Sequence, residues 1–385
     1  MANIAFLTPT SPKLSSSGEI RALTSMRGVA AIVVALHHLG NHFGAAFNLL
    51  RLSPIVANAW TWVDFFFILS GFVLFYAYQS SFRAGLSQNG YAVFLIRRIG
   101  RVWPLHAVIL ALFVATELAK YVIPSNADPA FSHNTWSAVL SNLAMVQAWH
   151  LHPRMTWNEP TWSISAEFAA YLAFPVLVPP IARLRPLGIA ALAAACWAAL
   201  LLLKYTLGHG TLDITFDWGV LRCLPSFILG MLLARCYADR RATAAGSDRV
   251  AAAALASIFA GLQFGLSDIL MVPLFCLVVL SLGYNRGHVA RALTIRPLYR
   301  LGVLSYSIYL LHSFVLRIWQ LAFLKLFHDR IGETGAVLVL LTLLALVIAG
   351  SALTHRLIER PGRRAFERLA RTVLAHDLHP SPAPG

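Results

Sequence analysis

Arg27 and His38 stand eleven residues apart, at the start and middle of the apolar run Gly28–Leu49. A helix rising 1.5 Å per residue sets the imidazole roughly 16 Å above the guanidinium, near the middle of a membrane. Imidazole takes a proton near neutral pH, which is the task of a general base acting on a hydroxyl. A carboxylate beside it fixes the tautomer and steadies the imidazolium. Two carboxylates reach a similar depth. Asp64 lies about 6 Å below the start of its apolar segment at Trp60, and Glu167 about 9 Å below Thr161. Arg222, Tyr309 and His312 fall at comparable levels in later segments. Ionisable groups at membrane depth are costly, so each is a functional candidate, and their convergence predicts a polar cavity opening outward. The competing role is structural, because a histidine in a spanning helix can simply hydrogen-bond a neighbour. That role suits His37, which points about 100° away from His38 around the helix.

A second group lies in Phe94–Pro104, where Arg98 and Arg101 share one face of a helical turn and Arg97 adjoins them. Forked guanidiniums on one face suit phosphate, although arginines also flank spans for purely topological reasons. Four cysteines fall in apolar runs without ligand spacing, and no metal cluster is evident.

The segments that must position these residues are membrane spans. The chain has 385 residues, of which 58% are hydrophobic and only 12% charged. Its apolar residues come in blocks of spanning length rather than as one face of soluble helices. The expected fold is all-α and polytopic, with about ten transmembrane helices: 28–49, 60–78, 103–123, 161–181, 186–205, 218–237, 250–265, 268–284, 302–327 and 335–355. The stretch 136–150 is too short and polar to span and reads as a re-entrant or surface segment. The net charge of +15 is topological rather than a sign of nucleic-acid binding. If 136–150 does not cross, Arg83, Arg97, Arg98, Arg101, Arg183, Arg185, Arg235, Arg240 and Arg241 share the inner side with the basic tail. Arg51, Lys120, Arg154, Lys204, Lys325 and Arg330 are then left outside. Both termini are therefore expected in the cytoplasm. Residues 1–20 read as a disordered N-terminus without a cleavable signal, 21–365 as the membrane domain, and 366–385 as a C-terminal tail.

In this order the residues resemble acyltransferase family 3, membrane proteins that O-acylate glycans and other hydroxyl-bearing molecules. The resemblance spans about Arg21 to Arg364. It rests on Arg27 with Gly28–Ala31 leading to His38, on Val63–Phe72 around Asp64, and on Arg98-Ile99-Gly100-Arg101 with Pro104. It continues through Pro160–Glu167, which carries Ser163, with Tyr171, and ends with Ser305–His312 and Glu359-Arg360-Pro361. It implies a bacterial plasma-membrane enzyme moving an acyl group, usually acetyl from acetyl-CoA, to a sugar hydroxyl on a surface or lipid-linked glycan. Acyl-CoA would be a co-substrate, not a resident cofactor. His38 would act as general base or brief acyl carrier, oriented by Glu167 or Asp64, with Arg27 at the inner mouth. Arg98 and Arg101 would hold the donor phosphates with help from Arg97. Ser163, Tyr309, His312 and Arg222 are secondary candidates. A transporter or flippase of an acyl or glycan species is the alternative, but it has no special need for the Arg-x-x-Arg face.

Overall fold

A computed structural model describes residues 19–40, 47–121, 134–322 and 332–378. The expectations for 1–18, for Lys325 and Arg330, for the ends of three spans (41–46, 122–123 and 323–327) and for 379–385 lie outside the described residues. Among those described, the chain is helical with no strand, and it is a polytopic membrane protein.

The helices in chain order are α1 (Arg21–Leu39), the short α2 (Leu49–Leu52) and α3 (Pro54–Ala57), α4 (Trp62–Phe82), α5 (Gln88–Ala119) and α6 (Trp136–Leu143). They continue with α7 (Trp162–Arg183), α8 (Pro186–Thr206), α9 (Gly219–Ala238), α10 (Asp248–Gln263), α11 (Asp268–Tyr284) and α12 (His288–Leu293). The last three are α13 (Arg296–Ala322), α14 (Glu333–Thr354) and α15 (Arg360–Leu378). Among the described residues, eight helices are long and apolar enough to cross a membrane. The other two expected spans are α10 and α11, of 16 and 17 residues.

Two boundaries differ usefully from expectation. Helix α1 ends at Leu39 rather than Leu49, where the Gly40 N–H caps the Leu36 carbonyl. His38 therefore sits in the last turn, not at mid-helix. Helix α5 begins fifteen residues before Trp103, at Gln88, and is 32 residues long. That is about 48 Å, longer than a hydrocarbon core of about 30 Å, so its arginine-bearing first half extends beyond the membrane.

Two helix pairs set the frame, and both are built on facing glycines. On α1 a methyl group at Gly28 would strike the Gly302 backbone of α13, and one at Gly302 would strike the Thr24 carbonyl oxygen. On α4 a methyl at Gly71 would land on the Phe227 carbonyl oxygen of α9, and one at Gly230 on that of Ile68. Lipid is as apolar as leucine, so association in a membrane depends on such close backbone approach. Gly71→Ala should therefore cost about 1–3 kcal/mol through overpacking. It would be read as a lower melting temperature in detergent, and unchanged melting would exclude backbone contact there.

Both pairs run parallel. Arg27 meets Ser305 and His38 meets His312, while Asp64 meets Arg222 and Gly71 meets Phe227. Spans one and nine, and two and six, can be parallel only if the intervening 136–150 does not cross. In the structure α6 has eight residues, and the segment after it folds against its neighbours. His106 reaches the Asn142 carbonyl at 2.8 Å, and Gln147 donates to the Thr161 carbonyl at 3.0 Å.

The first residues of the expected tail are helical. Helix α15 continues α14 through a π turn, His355–Glu359, and lies antiparallel on the early half of α5. Gly100 meets Phe366 there and Gly362 meets Pro104. Arg97 forms a two-pronged bond with Glu367 at 2.9 and 3.0 Å, and Arg101 pairs with Glu359.

Candidate functional site

The parallel seating of α1 on α13 carries polar residues in two tiers. The lower tier gathers around Arg27, which donates to the Ser305 hydroxyl at 3.0 Å. Arg101, Glu167, Glu359 and Tyr171 all lie within electrostatic range of its guanidinium. The Tyr171 hydroxyl is in hydrogen-bonding range of both Glu167 and Ser70. Arg101 stands over the Tyr306 ring, 5.5 Å from its centroid. Arg98 donates to the Tyr78 hydroxyl at 3.1 Å, while its buried Nε has no partner. Arg363 of α15 lies within range of both Arg98 and Arg101. Four guanidiniums thus face two carboxylates, Glu167 and Glu359. The surplus positive charge and the unused Arg98 donor suit an anion with several oxygens, such as a phosphate.

The upper tier holds the histidines. Half-buried His38 faces fully buried His312 of α13, with ring centroids 5.0 Å apart. The His312 Nδ1 lies 3.1 Å from the Ile308 carbonyl oxygen. A carbonyl only accepts, so Nδ1 carries the proton and Nε2 presents a lone pair. Tyr309 lies edge-on to His312 with centroids 5.9 Å apart. Its hydroxyl is engaged by Ser163 at 2.8 Å and the Pro160 carbonyl at 3.1 Å. His37 points elsewhere, its Nδ1 2.8 Å from the Val56 carbonyl oxygen of α3. The two histidines of α1 lie in its last turn, where the helix dipole favours a developing imidazolium.

The carboxylates do not gather where depth alone places them. Asp64 binds Arg222 at 2.8 and 3.3 Å and accepts from Ser226 at 3.2 Å. Both partners are buried, and the guanidinium lies between Trp60 and Trp162, 5.4 and 5.6 Å from their ring centroids. Glu167 belongs with Tyr171 and Arg27 in the lower tier, although Tyr309 is also within its electrostatic range. Sequence reasoning passed over Ser305, Glu359, Tyr171, Tyr78 and Arg363 as site residues. Glu359 carried a readable signal, since it is an isolated acid at the head of a basic run.

A family model described as an acyltransferase domain matches residues 20–356. The chain is 26% identical to acyltransferase MdmB of Streptomyces mycarofaciens, over 94% of this chain and 96% of that one. It is also 37% identical to protein 2 in the picA locus of Rhizobium radiobacter, over 26% of this chain and 47% of the relative. No solved structure matches the chain.

Proposed function

This chain belongs to that acyltransferase family, and from this premise we propose that it transfers an acyl group from acyl-CoA to a glycan hydroxyl. Acetyl is the group we favour, and the acceptor is a sugar on a surface or lipid-linked glycan. The observation that carries the reading is the two-tier arrangement along α1 and α13. Guanidiniums cluster at one level, and a histidine pair lies further along the same two helices.

In this reading the lower tier faces the cytoplasm of a bacterial cell, where CoA resides, and both termini lie there. Residues 21–365 form the catalytic unit. Arg98 and Arg101 bind the donor's phosphates, and the pantetheine arm runs upward past Arg27 and Tyr171. The acceptor enters from the outer side. Its hydroxyl gives a proton to His38 as its oxygen attacks the thioester carbonyl. The C–S bond breaks, and the thiolate that leaves is reprotonated from His38. Glu167, in the lower tier, holds Tyr171 beside the thioester's path.

The donor half is tested by acyl-CoA affinity. Arg98→Ala combined with Arg101→Ala removes two charge-assisted contacts worth about 1.5–3 kcal/mol each. The KM for acyl-CoA should therefore rise at least tenfold, with acceptor KM little changed. Arg97→Ala should act more weakly, because Arg97 is already saturated by Glu367. Unaltered donor KM in the double variant would remove the arginines from the donor site. Labelled acetyl-CoA incubated with the purified protein and a glycan panel then tests the transfer itself.

A further inference from the structure

We propose that Arg222 and Asp213 form a subsite for a neutral, hydroxyl-bearing ring of the acceptor, one hydroxyl of which accepts from Arg222 Nη1 and donates to Asp213. The proposal rests on the reading of the chain as a glycan acyltransferase and names residues that hold its acceptor.

The Arg222 guanidinium is only partly used. Its Nε and Nη2 are spent on Asp64, at 3.3 and 2.8 Å. The side chain is wholly buried, yet Nη1 has no hydrogen-bond partner among the described residues. A buried donor left unpaired bears the whole desolvation penalty, so such an atom calls for a reason. Asp213 Oδ1 lies 4.0 Å from this Nη1, too far for a hydrogen bond. A hydroxyl oxygen about 2.9 Å from the nitrogen and about 2.7 Å from the carboxylate oxygen spans that gap, with an angle of about 90° at the hydroxyl. The backbone beside Asp213 is pinned. Leu212 is fully buried, and its N–H is held at 2.6 Å by Asp268, which is itself bonded to Lys204 at 2.6 Å. The Asp213 side chain is 56% exposed, and exposed side chains change rotamer within nanoseconds. Its carboxylate can therefore turn to admit a hydroxyl and close on it.

Charge selects the ligand. Asp64 already neutralises Arg222, and Asp268, also within electrostatic range, is neutralised by Lys204. Asp213 thus leaves an excess of negative charge at the exposed edge. A phosphate or uronate would satisfy Nη1 but would meet Asp213 as a like charge, and an ammonium would offer Nη1 no acceptor. A neutral hydroxyl both donates and accepts. The surroundings suit a sugar ring. Trp60 and Trp162 flank the guanidinium, and exposed Trp218, one turn before Arg222, stacks on exposed His150 with centroids 4.4 Å apart. A few polar groups set among aromatic faces is the usual make-up of a small-molecule site. The subsite adjoins the histidine tier, since Tyr309, whose ring lies against His312, is within electrostatic range of Arg222. It holds the acceptor beside the reacting atoms rather than at them, so its loss should weaken binding more than chemistry.

The test uses detergent-solubilised full-length protein, labelled acetyl-CoA and a glycan panel with neutral and uronate-bearing members. Asp213→Ala removes an exposed side chain, so the fold should persist. The KM for an accepted neutral glycan should rise about tenfold or more, with kcat and the KM for acetyl-CoA within about threefold of wild type and melting unchanged. Asp213→Asn keeps an oxygen acceptor without the charge. It should recover most of the lost affinity, and it should narrow the wild-type preference for neutral over acidic glycans by about tenfold. Wild-type acceptor KM in Asp213→Ala overturns the proposal. So does a wild-type preference for acidic glycans, or a donor KM that rises in step with the acceptor's. If no glycan on the panel takes label from the wild-type protein, the transfer reading fails. If the wild-type protein transfers and Asp213→Ala matches it, only the present proposal fails.

Discussion

Alanine at position 38 is expected to lower acyl transfer by about 10²–10⁴-fold, the usual contribution of a positioned general base. The protein should still fold and insert. His38 is half-buried at the C-terminal end of α1, and the close contact that seats this helix, Gly28 against Gly302, lies nearly three turns away. Truncating the ring leaves that contact intact. The expected pattern is therefore a fall in kcat at unchanged melting temperature in detergent, with acyl-CoA still bound because the guanidinium tier is untouched. His37→Ala gives a contrast within one turn of helix. His37 spends its Nδ1 on the Val56 carbonyl, so its loss should loosen α3 rather than stop chemistry. Transfer at the wild-type rate by His38→Ala would sink the assignment.

The second large effect concerns stability. Asp64→Leu should destabilise the protein by about 3–5 kcal/mol, because it leaves the buried Arg222 guanidinium with only the largely exposed Asp213 carboxylate, 4.0 Å away, as an ion-pair partner. Both groups are buried, and the indoles of Trp60 and Trp162 that flank the cation cannot replace a carboxylate. The pair also fastens α4 to α9 one end away from the Gly71–Phe227 contact, so the stranded charge opens the most intimate seam on that side. Removing both charges together, Asp64→Leu with Arg222→Met, should restore most of the lost stability, since replacing a whole buried pair by apolar groups is often neutral or better. Thermal unfolding and folded yield of the two single variants and the double one measure this. A double variant no more stable than Asp64→Leu would show that the two charges are not one closed unit.

The segments themselves were legible in the sequence because apolar length and basic flanks are local properties. Trp136–His150 was rejected as a span from charge balance, and the parallel pairing of α1 with α13 and α4 with α9 agrees. The end of α1 was less legible. Apolar residues continue past Leu39, so hydropathy alone carried the span onward, whereas Gly40 capping the Leu36 carbonyl ends the helix. The extent of α5 was hidden for the opposite reason. Its first half is polar enough to read as a loop, yet it is a helix because α15 covers it, with Glu367 and Glu359 answering Arg97 and Arg101.

The sequence by itself determined spacing along each helix. Rise per residue fixed the separation of Arg27 and His38, and it put Asp64, Glu167 and Arg222 at levels where charge is costly. Depth is one coordinate of three. Which side chains actually touch depends on the rotation of each helix and on its neighbour, and glycines buried in the helix seams set both. Gly28 against Gly302 turns His38 toward His312 and Arg27 toward Ser305. Gly71 against Phe227 turns Asp64 to Arg222 and away from the role of orienting His38. Only the tertiary structure could decide this, because a glycine's worth lies in the backbone that comes to rest against it, and that backbone is more than 150 residues distant along the chain.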